Sequence, residues 1–152
     1  MVHYVKGNLL NSDCHFICHQ VNCQGKMNSG IAKSIREKYP KAYIDYMLWY
    51  QKEHSYRMFN HICVAPAVDK TTIIHMASQY DYGYDGKRYT SYDAFWLCLG
   101  EIRQMVRKGD TIAFPHKIGC CRGGANWEVI RTMIKEALGY DYEVYIYEYE
   151  GE

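Results

Sequence analysis

The run Ile17-Cys18-His19-Gln20 leads directly into Val21-Asn22-Cys23-Gln24-Gly25-Lys26-Met27-Asn28-Ser29-Gly30-Ile31-Ala32. An apolar strand therefore enters a glycine-punctuated loop, and the loop opens a helix. Gly25 and Gly30 let backbone N–H groups approach an anion closely. The helix that begins near Ser29 adds the positive end of its dipole. Such an arrangement suits a phosphate or pyrophosphate. It matches neither common phosphate-binding fingerprint: no Gly-Lys-Ser/Thr closes the loop, and the glycines are not spaced G-x-G-x-x-G.

A second loop of the same kind lies further along. Thr111 to Phe114 reads as a buried strand closed by Pro115. Ile118-Gly119-Cys120-Cys121-Arg122-Gly123-Gly124 then separates it from a helix with Trp127, Ile130 and Ile134 on its inner face. In open α/β sheets such loops gather at the carboxyl ends of the strands and form the ligand crevice. Taken singly, either loop could be no more than a set of tight turns. Two of them facing one crevice suggest a diphosphate with a sugar on each side.

Apolar patterning fills in the remaining elements. Strands are expected over residues 2–6, 14–20, 60–66, 71–77 and 142–149, with a turn at Val68-Asp69-Lys70. Asn28 or Ser29 can cap a helix that buries Ile31 and Ile35 and stops before Pro40. A second helix can start at Pro40, with Tyr43, Met47 and Tyr50 on one stripe. A third carries Phe95, Cys98, Ile102 and Met105 at helical spacing and ends by Gly109-Asp110. Residues 79–90 form a polar, tyrosine-rich loop with a turn at Asp85-Gly86. The fold class this order predicts is α/β, a three-layer α/β/α sandwich around a central mixed β-sheet. A chain of 152 residues is expected to form one domain, 1–152, without disulfide staples.

Bulk properties narrow the partners. A net charge of +1 and a pI near 7.6 argue against a nucleic-acid backbone or an anionic membrane as the main partner. No apolar run reaches the roughly 18 residues of a membrane span, and Met1 to Lys6 reads as a strand rather than a signal peptide. Seven cysteines without a repeated C-x-x-C spacing read as mostly reduced, buried thiols of a cytoplasmic protein. Many of the sixteen tyrosines must be half-buried, with the hydroxyl at the surface. No metal site and no cofactor are expected, and a monomer is.

Lys6-Gly7-Asn8-Leu9, Val21-Asn22-Cys23 through Gly30-Ile31-Ala32, and Pro115 through Trp127 together resemble the macro domain family of ADP-ribose-binding modules. The likeness runs over essentially the whole chain. Ile17-Cys18-His19 through Tyr39-Pro40-Lys41-Ala42 is most similar to the branch that includes the ADP-ribose-1″-phosphate phosphatases and terminal ADP-ribose glycohydrolases. What the resemblance implies is a macro domain fold that binds ADP-ribose, or an ADP-ribosylated small molecule or protein. In the phosphatase type it implies hydrolysis of ADP-ribose-1″-phosphate to ADP-ribose and phosphate. A non-catalytic reader or sequestering module is the alternative.

By position, the resemblance assigns Asn8 to the adenine, where the family usually has an aspartate, with the Leu9 N–H beside it. It gives Asn22 the distal ribose hydroxyls, and wraps Gly25, Met27, Ser29, Gly30 and Ile31 round that ribose and one phosphate. Gly119, Cys120, Cys121, Arg122, Gly123 and Gly124 fall to the other phosphate and the distal ribose through backbone donors, Ile118 to the same ligand site, and Tyr147 to the adenosine. His19 and Asn22 are the candidate catalytic residues, since an imidazole titrates near neutral pH and can move a proton. His75 and His116 are weaker candidates; Cys23 and Cys120 could act only if electropositive surroundings lowered their pKa values. Two positions depart from the glycohydrolase pattern. Gln79 stands near its lysine and Gly123 at its aspartate, so neither imine formation nor carboxylate base catalysis is available there.

Overall fold

The structure, a computed structural model, describes residues 1–149; residues 150–152 of the expected domain lie outside them. Six strands are present: β1 (Val2–Lys6), β2 (Phe16–Gln20), β3 (Ile62–Val68), β4 (Thr71–Met76), β5 (Thr111–Pro115) and β6 (Glu143–Glu148). They form one sheet in the order β1-β6-β5-β2-β4-β3. Every neighbouring pair is parallel except the β3–β4 hairpin, which turns at Asp69 with a φ of 71°. The helices are α1 (Gly30–Lys38), α2 (Pro40–Met58), α3 (Tyr92–Met105) and α4 (Trp127–Ile134).

Strand alternation sorts the side chains between two cores. Cys18, Ile74, Met76, Ile112, Phe114, Val144 and Ile146 meet α3 and α4 through Phe95, Cys98, Leu99, Ile102, Ile130 and Ile134. Ile17, Ile73 and Ala113 project from the other face and meet Ile35, Ala42, Tyr46 and Met58 of α1 and α2. Helices thus cover both faces of a mixed sheet, which is the three-layer α/β/α macro domain arrangement expected.

Several boundaries and faces differ from expectation. The second strand starts at Phe16 rather than at residue 14, because the Cys14 N–H is taken by the Ser12 hydroxyl. The inner stripe of α2 is Ala42, Tyr46 and Met58, while Tyr43, Met47 and Tyr50 flank it half-buried. A small residue at Ala42 gives close approach to the sheet, where His75 bonds its carbonyl. Ile35 is fully buried but Ile31 is not, and it faces the ligand side instead. Four cysteines are buried, Cys63 and Cys120 half-buried, and Cys121 exposed; all seven are free. A 3-10 turn at Leu9–Asn11 and a π-helical turn at Lys135–Gly139 follow no pattern in the sequence. Among the described residues no helix is long and apolar enough to cross a membrane.

Phe95, fully buried, lies in the α3 side of the core. Phe95→Ala is expected to cost about 3–5 kcal/mol through lost burial and a residual cavity. In urea unfolding the midpoint falls while the slope is kept.

Candidate functional site

Both glycine loops emerge at the carboxyl ends of neighbouring strands, β2 and β5. A cleft lies between them in two lobes. The larger, about 510 Å³, is walled by Asn8, Leu9, Leu10, Ile118, Gly119, Gly123, Pro115, His116, Lys117 and Tyr147. The smaller, about 240 Å³, lies between Asn22, Lys26, Asn28 and Ser29 on one side and Tyr82, Gly83 and Tyr84 on the other. Gln20, Gly30, Ile31, Gln79, Cys121 and Arg122 border both lobes. The tyrosine-rich loop therefore covers one end of the cleft. The Arg122 guanidinium sits over the Tyr84 ring at 4.3 Å, a cation–π contact that ties this loop to the second glycine loop.

The cleft offers donors and positive charge. Asp and Glu are absent from both linings among the described residues, whereas Lys26, Lys117 and Arg122 are present. The N–H groups of Gly119, Cys121, Arg122, Gly123 and Gly124 have no acceptor among the described residues. Across from them is the first turn of α1, whose N–H groups have no intrahelical partners. The Ser29 side chain makes no capping bond to them. Two sets of unpaired backbone donors thus face one space, as anion recognition requires.

Most of the residues expected at the site line it: Asn8, Leu9, Asn22, Ser29, Gly30, Ile31, Ile118, Gly119, Cys121, Arg122, Gly123 and Tyr147. Gly124 borders an adjoining groove with Gly83 and Tyr84. Asn22 also shapes its own loop. Its Oδ1 accepts from the N–H groups of Gln24 (2.9 Å) and Lys26 (3.4 Å), and its Nδ2 donates to the Lys26 carbonyl at 2.9 Å. The Tyr46 hydroxyl donates to the Asn22 carbonyl at 2.7 Å from below.

Besides Gly124, four expected site residues do not line the cleft. Gly25 is turned inward, where a Cβ would lie 2.8 Å from the Tyr50 ring. Met27 is buried in the core under α1 and α2. Cys120 is half-buried, with its thiol on the Ile118 carbonyl. Burial pushes the Cys120 thiol up to about 11 and Cys23 up to about 12, so neither is poised as a thiolate.

His19, the fourth, requires a correction. It lies on the same face of β2 as Ile17, fully buried toward α2, while Gln20 takes the cleft. Its partner is His75, across a 2.7 Å Nε2···Nδ1 contact. His75 Nε2 lies 2.9 Å from the Ala42 carbonyl, which can only accept, so the proton is on that nitrogen. His75 Nδ1 is then the acceptor, His19 Nε2 the donor, and His19 Nδ1 a buried acceptor without a partner. Burial, then the neighbouring His75, lowers the His19 pKa well below the usual histidine range. Burial likewise lowers His75, to about 4. The pair is a neutral structural element under the first glycine loop.

Gln20 is the principal residue that sequence reasoning missed. Its Nε2 donates to Gln79 Oε1 (2.7 Å) and Thr90 Oγ1 (2.9 Å), and its Oε1 accepts from Ser78 Oγ at 2.7 Å. Thr90 Oγ1 donates onward to the Gly119 carbonyl at 2.8 Å. The signal available was a polar residue ending an otherwise apolar strand immediately before the loop. Gly123 is locked against this network: a Cβ there would meet Thr90 Oγ1 at 2.3 Å and the Gly119 carbonyl oxygen at 2.4 Å.

Two outcomes follow. The unfolded chain takes up protons at these two histidines near pH 6.5, whereas the native state does not. Their contribution to stability is full above that pH and is lost as pH falls through the window toward about 4. In proton NMR neither ring should titrate between pH 7.5 and 5.5; a shift of either resonance there would contradict the buried neutral pair. Gly123→Ala is expected to lose about 1–3 kcal/mol by overpacking, read as a lowered thermal midpoint.

The comparisons agree with this geometry. The Macro domain family model matches residues 18–134. A Bacteroides thetaiotaomicron protein of unknown function superposes with a TM-score of 0.85 at 24% identity, over 97% of this chain and 98% of that one. The macrodomain of Mycobacterium tuberculosis DarG gives 0.81 at 22% identity, covering 97% of each chain. Thermosipho africanus DarTG in complex with ADP-ribose gives 0.79 at 18% identity, over 99% of this chain and 42% of that chain. Among curated proteins none matches the sequence. With the family match and the fold in agreement, the chain belongs to the macro domain family.

Proposed function

We propose that the chain binds ADP-ribose or an ADP-ribose derivative in the two-lobed cleft, and acts as a reader or sequestering module for it. The observation that carries this reading is the set of N–H groups at Gly119 and Cys121 to Gly123, without acceptors among the described residues and across the cleft from the first turn of α1. That space suits a diphosphate. The larger lobe, with Leu9, Ile31, Pro115 and Tyr147, suits a base and its ribose. The smaller lobe suits the distal ribose, with the remaining Asn22 Nδ2–H free for a hydroxyl. The Thermosipho africanus relative holding ADP-ribose supports the same ligand class.

Hydrolysis of ADP-ribose-1″-phosphate fits the geometry less well. Such a step needs a group that can give or take a proton at the terminal phosphate. His19 is buried on the far side of the strand. Among the described residues no carboxylate or imidazole lines the smaller lobe. The binding reading is therefore preferred over the phosphatase reading.

Calorimetric titration with ADP-ribose, with AMP and NAD as controls, tests this. Saturable binding to one site is expected, and Arg122→Ala should weaken it by about tenfold through loss of charge-assisted bonds. No binding of ADP-ribose or its derivatives would overturn the reading. Incubation with ADP-ribose-1″-phosphate should release no phosphate above the blank; steady release at a rate proportional to protein would restore the enzymatic alternative.

A further inference from the structure

Beyond the smaller lobe lies a further groove of about 230 Å³, whose lining includes Gly86, Lys87 and Gly124. Gly83, Tyr84, Cys121 and Arg122 line the lobe and the groove alike, so these four residues form the boundary between the two spaces. At that boundary the Arg122 guanidinium stacks on the Tyr84 ring at 4.3 Å. Arg103 and Arg131 each pair with a carboxylate, whereas Arg122 has no such partner among the described residues. The tyrosine side of the boundary is held firmly. The Tyr89 N–H donates to the Gly123 carbonyl at 2.8 Å. The Tyr89 hydroxyl donates to the Asp85 carboxylate, 2.8 and 2.9 Å from its two oxygens. A Cβ at Gly83 would lie 2.3 Å from the same hydroxyl. The residues on either side of Tyr84 are therefore both seated on Tyr89, and Tyr89 is fixed to the second glycine loop that carries Arg122.

Resting on the ligand reading above, we infer that the Tyr84–Arg122 contact makes the cleft favour free ADP-ribose over ADP-ribose attached through its distal ribose to a protein side chain. The smaller lobe, about 240 Å³, is the part read as holding that ribose. A free sugar ends there in a hydroxyl. An attached peptide continues from the sugar, and its way into the groove runs through the Tyr84–Arg122 contact. Parting that contact forfeits its attraction. It also releases the guanidinium, whose planar fork binds a phosphate with least loss of freedom when already held in place. A free ligand incurs neither cost. The discrimination therefore comes from an obstacle to one ligand rather than from a new contact to the other. Tyr84 is 69% exposed, so its ring can be replaced without disturbing either core.

The test is calorimetric titration of the full chain, of Tyr84→Ala and of Tyr84→Phe. The two probes are ADP-ribose and a short synthetic peptide carrying ADP-ribose on a serine, with the unmodified peptide as the blank. The native chain should bind ADP-ribose about two- to fivefold more tightly than the modified peptide, the worth of an exposed cation–π contact expressed as an affinity ratio. Tyr84→Ala removes the ring and keeps Arg122, so the preference should vanish while the thermal midpoint stays unchanged. Tyr84→Phe keeps a ring under the guanidinium and should keep the preference. Modified peptide bound by the native chain as tightly as ADP-ribose, or more tightly, overturns the inference while leaving the cleft reading intact. A ratio unmoved by Tyr84→Ala overturns the role of Tyr84, and a preference lost in Tyr84→Phe as well overturns the role of the ring–cation contact. Failure of both ligands to bind the native chain overturns the cleft reading and this inference with it.

Discussion

The side-chain amide of Gln20 donates to Gln79 and Thr90 and accepts from Ser78. The partners lie at both ends of the segment that joins β4 to α3. Ser78 and Gln79 follow β4, Thr90 ends the tyrosine-rich loop, and Thr90 itself holds the Gly119 carbonyl of the second glycine loop. The Gly123 carbonyl is fixed in parallel by the N–H groups of Tyr89 (2.8 Å) and Thr90 (3.0 Å). Ser78 and Thr90 are buried, so these bonds are made where an unpaired polar group is costly. Satisfied in full, they clamp three otherwise independent loops into one floor. The unpaired donors of the second glycine loop keep their direction because its carbonyls are occupied.

The same network links Gln79 and Gly123. A lysine at Gln79 would bring no acceptor for the Gln20 amide. A side chain at Gly123 would collide with the hydroxyl that the Gln20 amide also holds. Gln79 and Gly123 are thus coupled to each other through Gln20 and Thr90. Restoring one residue alone would break a satisfied buried network without completing a catalytic pair. Gln79 and Gly123 are thus held in one connected floor of the cleft.

How much of this was legible in the sequence depends on range. Strand–loop–helix junctions are local, and both glycine loops and Pro40 at the start of α2 follow from residue type. The face taken by His19 is not local. Alternation fixes that His19 and Gln20 point opposite ways, but which way is decided by Ala42 and His75, far off in the chain. The stripe on α2 was displaced from Tyr43 and Met47 to Ala42 and Tyr46 for the same reason. A small residue and a buried hydroxyl were selected by what lies beneath, not by hydrophobicity. Gly25 and Met27 had the right composition for a ligand loop, yet they anchor that loop to the core. The Arg122–Tyr84 contact joins segments that meet only in the folded sheet.

Those anchors matter to binding because order must exist before the ligand arrives. A loop of glycines and asparagine has much conformational freedom to lose, and freedom lost on binding subtracts from affinity. Here much of it is already lost to contacts within the fold. Tyr46 holds the Asn22 carbonyl, Asn22 holds the N–H groups of Gln24 and Lys26, and Tyr50 seats against Gly25. Beneath them, His75 packs against the Tyr46 ring and bonds Ala42, which joins α2 to β4. The geometry of the first loop therefore rests on a buried, uncharged chain of polar contacts. The histidine that sequence reasoning placed in the chemistry lies below the cleft instead, bonded to the His75 that packs against Tyr46 under the first loop.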